Sequence, residues 1–140
     1  MTSPRPAHER GGGMSVEALI LVPAVLLLLG LITAWARVAI ATDAVSSAAG
    51  AAARAAALER SSTSAQQAAR TIATTTMSNR NTGCSPIISI DTSGFAIPVG
   101  QKAQITARVT CTVHLGPLGG THTITKTGAA PLDTYRGRQP

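Results

Sequence analysis

From Ala18 to Ala36 the chain runs nineteen residues without a charge. A helix of that length rises about 28 Å, enough to cross the hydrocarbon core of a bilayer. Trp35 and Arg37 close the run with the side chains that favour a headgroup boundary. Beyond Arg37 no proline intervenes, and Val38 to Val45 leads into an alanine-rich stretch that ends near Leu58 or Glu59. Alanine is the strongest helix former, so the helix is expected to continue, even across Gly50. Leu31, Val38, Val45 and Ala52 recur every seven residues, with Ala34, Ala41, Ala48 and Ala55 between them. Such a stripe of small residues lets another element approach closely. Two readings stay open here: a stalk packed on its own domain, or a helix bundle between subunits.

Ser61 to Ser64 breaks this helix and starts another. Thr63 with Gln66 fits a capping box, and Ala65 to Met77 is amphipathic, with Ala69, Ile72, Ala73 and Met77 on one face. Ser78 to Gly83 reads as a loop, after which the period changes to two. Pro86 to Thr92 predicts a short strand with Ile88 and Ile90 on one face. Lys102 to Leu115 predicts a long one, with Ala103, Ile105, Ala107, Val109, Cys111, Val113 and Leu115 alternating with polar residues. Gly116-Pro117-Leu118-Gly119-Gly120 is turn chemistry, Thr121 to Thr127 returns as a threonine-rich partner strand, and the chain from Gly128 reads as a mobile tail with Tyr135 exposed. The expected fold is α+β: a long N-terminal membrane-spanning helix continuing into an alanine-rich stalk, a second helix, then a small antiparallel sheet of about three strands. The corresponding divisions are 1–12, a leader; 13–60, the membrane and stalk helix; 61–128, a small extracytoplasmic domain; and 129–140, a flexible tail.

Composition narrows the functional classes. Trp35, Phe95 and Tyr135 are the only aromatics, so the core must be thin and built from Val, Ile, Leu and Ala. The formal charge of +6 invites a nucleic-acid partner, but Arg54, Arg60, Arg70, Arg80, Lys102, Arg108 and Lys126 form no run and have no interleaved aromatics. No direct nucleic-acid binding is expected. Among the histidines, His8 lies in the leader, while His114 and His122 flank the turn and are placed to face each other, with no third metal ligand. Asp43, Glu59, Asp91 and Asp133 are isolated carboxylates, and two cysteines match no zinc spacing. Gly11-Gly12-Gly13 precedes a membrane helix rather than following a strand, so it is no phosphate loop. No enzymatic activity, cofactor or metal is expected.

The head of the apolar run carries the strongest functional pattern. Met1 to Gly12 is short and polar, with Arg5, His8, Arg10 and two prolines, and it leads into Gly13-Met14-Ser15-Val16-Glu17. One acidic residue at the mouth of a membrane helix is costly, about 2.5–3.5 kcal/mol at mid-bilayer and less near the interface. The plain reading sets Glu17 at headgroup depth in contact with water. The basic leader, the glycine, the glutamate five residues on and the apolar helix together resemble the processing and assembly pattern of type IV pilin-like subunits. Val16-Glu17-Ala18-Leu19-Ile20-Leu21-Val22-Pro23, followed by Val25-Leu26-Leu27-Leu28-Leu29-Gly30, is similar to the TadE family of pseudopilins of the Tad (Flp) pilus systems, and Ala130-Pro131-Leu132-Asp133-Thr134-Tyr135-Arg136 resembles the tails of its actinobacterial members. The family's usual aromatic after the glutamate is Ala18 here. The likeness is firm over the first third of the chain and loose afterwards.

The resemblance implies a minor pseudopilin cut between Gly12 and Gly13 by a prepilin peptidase. Glu17 then becomes the fifth residue of the mature chain, about one helical turn from the new α-amino group, and pairs with the N-terminus of a neighbouring subunit. A buried charge demands such a partner, which makes the pair a registration device. The implied partners are the peptidase, other pilins or pseudopilins, the Tad inner-membrane platform and the membrane itself. The implied location is the cell membrane, single-pass, with the C-terminal body outside and surface pili as a further destination. Flanking charges do not set this topology, because Arg5 and Arg10 face Arg37, Arg54 and Arg60. Two alternatives compete. Leu19 to Ile32 reads as a signal-peptide core with Ala34-Trp35-Ala36 as its cleavage site, releasing a secreted binding module; or the chain is an unprocessed single-pass envelope protein.

An even pair of cysteines in an exported chain points to a bridge between Cys84 and Cys111. Cys111 falls on the buried face of the long strand and Cys84 opens the loop toward the first, within reach of disulfide geometry. Closing this loop contributes roughly 3–4 kcal/mol in the chain-entropy model. The alternative is a buried free thiol at Cys111 and an exposed one at Cys84.

Overall fold

A computed structural model describes residues 16–116, 119–135 and 137. Helix α1 spans Val16–Leu58, a single run of 43 residues, and α2 spans Ser62–Asn79. Strands β1 (Ile87–Asp91), β2 (Gln104–His114) and β3 (Thr121–Pro131) form an antiparallel sheet in the order β1-β2-β3. The architecture is the expected α+β fold.

The connection after Leu58 is short, so α2 folds back on α1. It is capped by Ser61, whose extended backbone (φ −128°, ψ 153°) lets its hydroxyl accept the Ser64 N–H at 3.2 Å. The sequence places this cap at Thr63. With the helix begun two residues earlier, Thr63 falls within its first turn, and the Gln66 amide reaches Thr92 Oγ1 at 3.4 Å instead of closing a capping box. The buried stripe of α2 is Ala65, Ala69, Ala73 and Met77, a strict four-residue step. Ile72, assigned to that face by the sequence, lies off the step and is 39% exposed.

On α1 the buried positions from Ala41 onward are Ala41, Ala44, Val45, Ala48, Ala49, Ala52, Ala53 and Ala56. They pack against α2 on one side and the inner face of β2 and β3 on the other. Fourteen of the 23 buried apolar residues among those described are alanine. This body gains its cohesion from close approach of backbones more than from bulky side chains, the packing that dispersion rewards. The stripe of small residues is therefore taken up, from Ala41, by the protein's own body, and the intersubunit bundle is not available to that part of it.

Ile105, Ala107, Val109, Cys111 and Val113 of β2 all point inward and are buried, as the alternation predicts. Ile88 and Ile90 of β1, opposite Val109 and Ala107, are half-buried beside them. The outer face is a threonine ladder, with hydroxyl pairs Thr110–Thr125 and Thr112–Thr123 both at 3.0 Å.

Strand β3 runs four residues beyond the expected Thr127, and this corrects the tail assigned to 129–140. Gly128 pairs with Ala107, and Ala130 with Ile105. A side chain at Gly128 would collide with the carbonyl of Ala49, so α1 crosses β3 backbone against backbone at this point. Ala130 and Leu132 are buried, and the Leu132 N–H donates to the Ala103 carbonyl at 2.9 Å. Tyr135 is 91% exposed, as expected. A short 3₁₀ helix at Ser93–Ala96 brings Phe95 into the core, with Gly94 pressed against the Gln104 carbonyl. Ahead of it the Asp91 carboxylate accepts the Ser93 N–H at 3.0 Å, which with the Ser93 hydroxyl holds its pKa below the ordinary value.

Candidate functional site

Helix α1 changes its surroundings partway along without changing its geometry. Leu19, Ile20, Leu21, Leu26, Leu27, Leu28, Leu31 and Ile32 are all exposed, whereas Ala44, Val45, Ala48 and Ala52 are fully buried. Among the described residues α1 is the helix long and apolar enough to cross a membrane, and the C-terminal body follows it. Pro23 lies inside this half. It has no N–H for the Leu19 carbonyl, an interruption membrane helices tolerate when neighbouring groups satisfy the freed oxygen. Near the other end of the apolar run, Thr33 returns its hydroxyl to the Gly30 carbonyl at 2.9 Å. Trp35, at 79% exposure, stands free of the body, while Ala34 is 7% exposed and Val38 half-buried.

The residues assigned to processing, Gly12 and Gly13, lie outside the described residues, as do the leader and His8. Glu17 belongs to the first turn of α1 by its backbone, and its side chain also lies outside the description. The two cysteines are brought together. Cys84 and Cys111 form a disulfide with a Cα–Cα distance of 5.9 Å, closing a sequence separation of 27. The bridge pins the loop between α2 and β1 to the inner face of β2, where Cys111 is 1% exposed. Thr82 directs its hydroxyl at the Cys84 sulfur at 3.9 Å. Asn81 and Gly83, with φ of 47° and 68°, let the chain leave α2 and turn back toward β1.

The histidines part company. His114 pairs with Thr121 and Val113 with His122, so the two imidazoles lie on opposite faces of the sheet rather than facing each other. A one-residue offset across a hairpin always has this effect, because alternate residues point to opposite faces. Among the described residues no group of three His, Cys, Asp or Glu is arranged to hold a metal ion.

Two open clefts lie at the end of the body far from the apolar half of α1. One is bounded by Asp91, Lys102, Gln104 and Thr134, the other by Arg54, Leu58, Leu132 and Tyr135. A smaller one lies at the near end, between Arg37, Asn81 and His114. Sequence reasoning missed Phe95, Gly128 and Leu132 as structural anchors. Of these, Gly128 carried a partial signal, a glycine directly after the threonine-rich strand residues, where a glycine can mark a close backbone approach. Comparison with protein families, curated proteins and solved structures finds no match to this chain.

Proposed function

We propose that this protein is a minor pseudopilin of a Tad-type pilus assembly system, processed by a prepilin peptidase and held in the membrane by the apolar half of α1. The observation that carries the reading is the double use of one uninterrupted helix. Its first half is sheathed in Leu, Ile and Val that nothing in the body covers, and its second half is the spine of a disulfide-closed α+β domain. The leader, Gly12, Glu17 and Pro23 supply the processing and assembly elements of the same reading. The protein contributes by assembly, not catalysis: its chemistry is that of a substrate for the peptidase and a building block for its neighbours.

Mass spectrometry of the N-terminus recovered from membranes tests the proposal. A mature chain starting at Gly13 supports it, and an intact Met1 or Thr2 terminus would reduce the protein to an unprocessed anchor. A start at Arg37 would identify a secreted binding module, a second reading favoured by one observation: the continuous buried stripe of α1 begins at Ala41, so that cut leaves the body nearly whole. Glu17→Ala sharpens the test. Insertion and cleavage should persist while incorporation into the pilus complex falls, because the carboxylate's pairing with a neighbour's N-terminus is lost. Normal piliation in that variant would return Glu17 to the headgroup layer.

A further inference from the structure

The end of the body nearest the apolar half of α1 is assembled from three separate pieces of chain. Arg37 and Ile40 from α1, Asn81 and Thr82 from the loop after α2, and Val113 and His114 from the end of β2 line a cavity of about 260 Å³. At the end of β2 the chain passes close by, so that a Cβ added at Gly116 would lie 3.9 Å from the Arg37 guanidinium. The β2–β3 turn is shaped by its own hydrogen bonds, Leu115 N–H to the Gly120 carbonyl at 3.1 Å and Gly119 N–H to the Gly116 carbonyl at 2.9 Å.

Two features of this end point to the same ligand. The first is distance. The uncharged run ends at Ala36, with Ala34 inside it already down to 7% exposure, and the continuous packed stripe begins at Ala41, which is 2% exposed. Five residues of helix rise about 7.5 Å, close to the thickness of one headgroup layer. No linker separates body from span, so the near end of the body must sit at the level of lipid phosphates. The second feature is charge. Arg37, Arg80 and His114 are exposed at this end, and His122 is exposed beside Val113. The carboxylate closest along α1, Asp43, stands six residues past Arg37, about 9 Å further from the membrane. At the far end Glu59, Asp91 and Asp133 mix with Arg54, Arg60 and Lys102.

Resting on the membrane-anchored reading above, we infer that the near end of the body is a docking surface for anionic phospholipid headgroups, with Arg37 and Arg80 contacting lipid phosphates and Trp35 seated just beneath them. Arginine's planar fork suits phosphate oxygens, and each basic residue near an anionic leaflet raises affinity about fivefold at physiological salt. Docking holds the body upright on the bilayer and makes its orientation depend on lipid composition.

The test uses the full chain reconstituted in vesicles of phosphatidylcholine alone and in vesicles that also contain phosphatidylglycerol. Amide hydrogen exchange is followed at residues 80–83 and at 113–116. Protection should rise in the anionic vesicles and fade with added salt. Arg37→Gln and Arg80→Gln should each shift the lipid dependence about fivefold, with unchanged thermal unfolding of the body, while Arg60→Gln at the far end should leave it unaltered. Equal protection in both vesicles, or an Arg60→Gln effect as large as that of Arg37→Gln, would overturn the inference. So would inorganic phosphate reproducing the protection in neutral vesicles, which would make this a site for the free anion. Alkaline carbonate separates the two layers of argument. Release of the chain from the vesicles overturns the anchored reading and the docking surface together, whereas retention without lipid dependence overturns the docking surface alone.

Discussion

The two halves of α1 invert the usual relation between size and burial. Before Arg37 the large side chains Leu26, Leu27 and Ile32 are exposed; after Ala41 the small ones, Ala44, Ala48 and Ala52, are completely enclosed. The same backbone carries both patterns because they answer different surroundings. The outer half is long and apolar enough to cross a membrane, and in lipid a bulky leucine would find dispersion contacts as readily as in protein. The inner half has to bring a second helix and a sheet close to one helix axis, and of its eight buried positions seven are alanine and one is Val45. Along α1, apolar character alone therefore does not say where a residue is buried.

The comparison can be broken most severely through the disulfide, which lies in the body packed on the inner half. Replacing Cys84 and Cys111 together by alanine should lower the stability of the body by about 3–4 kcal/mol in the chain-entropy model, while leaving membrane retention intact. Denaturant unfolding of the reduced and oxidised protein in detergent gives the same difference without mutation. Gly128→Ala comes next. Its new methyl meets the Ala49 backbone, which cannot rotate away, and overpacking of this kind should cost about 2–3 kcal/mol. For a body of this size that lowers the melting temperature by roughly 4–8 °C per kcal/mol. Gly50→Ala has the opposite sign. A methyl there meets only the flexible Arg54 head at 3.6 Å, so helix propensity dominates and the body should gain about 0.5–1 kcal/mol. The smallest effect belongs to the outer half: Leu27→Ala should leave unfolding of the body within about 0.5 kcal/mol, since Leu27 touches none of it. A large loss there would mean that the two halves are not independent.

Much of this organisation was legible in the chain. The seven-residue recurrence through Val38, Val45 and Ala52 located the packed side of α1, and the alternation from Ala103 to Val113 located the inner face of β2. The pairing of Cys84 with Cys111 followed from placing one on that face and the other at the mouth of the preceding loop. What stayed hidden was set by tertiary contact. Ala129, Ala130 and Pro131 have little strand preference of their own, and they extend β3 because Gln104, Ile105 and Thr106 offer them a ladder. Which element would cover the alanine stripe was equally undetermined, because a small-residue face is complementary to any close-packed partner. The imidazoles of His114 and His122 were misjudged by one register position, a quantity that turn length fixes and that composition does not reveal. Gly12 and Gly13 lie outside the described residues and Glu17 enters them by its backbone alone, so the proposed processing pattern is read from the sequence.

The absence of any hinge between Trp35 and Ala41 has a mechanical side. A helix is stiff in torsion, so the apolar half and the part in the body turn as one shaft. A tilt of the first is passed undiminished to the second, and its azimuth is transmitted as well. One alanine inserted between Ala36 and Ala41 would swing the sheet by about 100° around the shaft and lift it by about 1.5 Å. A copy held by its apolar half must then present the threonine ladder, the open edge of β3 and the far clefts in one fixed direction. The angular address of the body is written in the count of residues between the two halves, a quantity that substitutions leave untouched and that a single insertion rewrites.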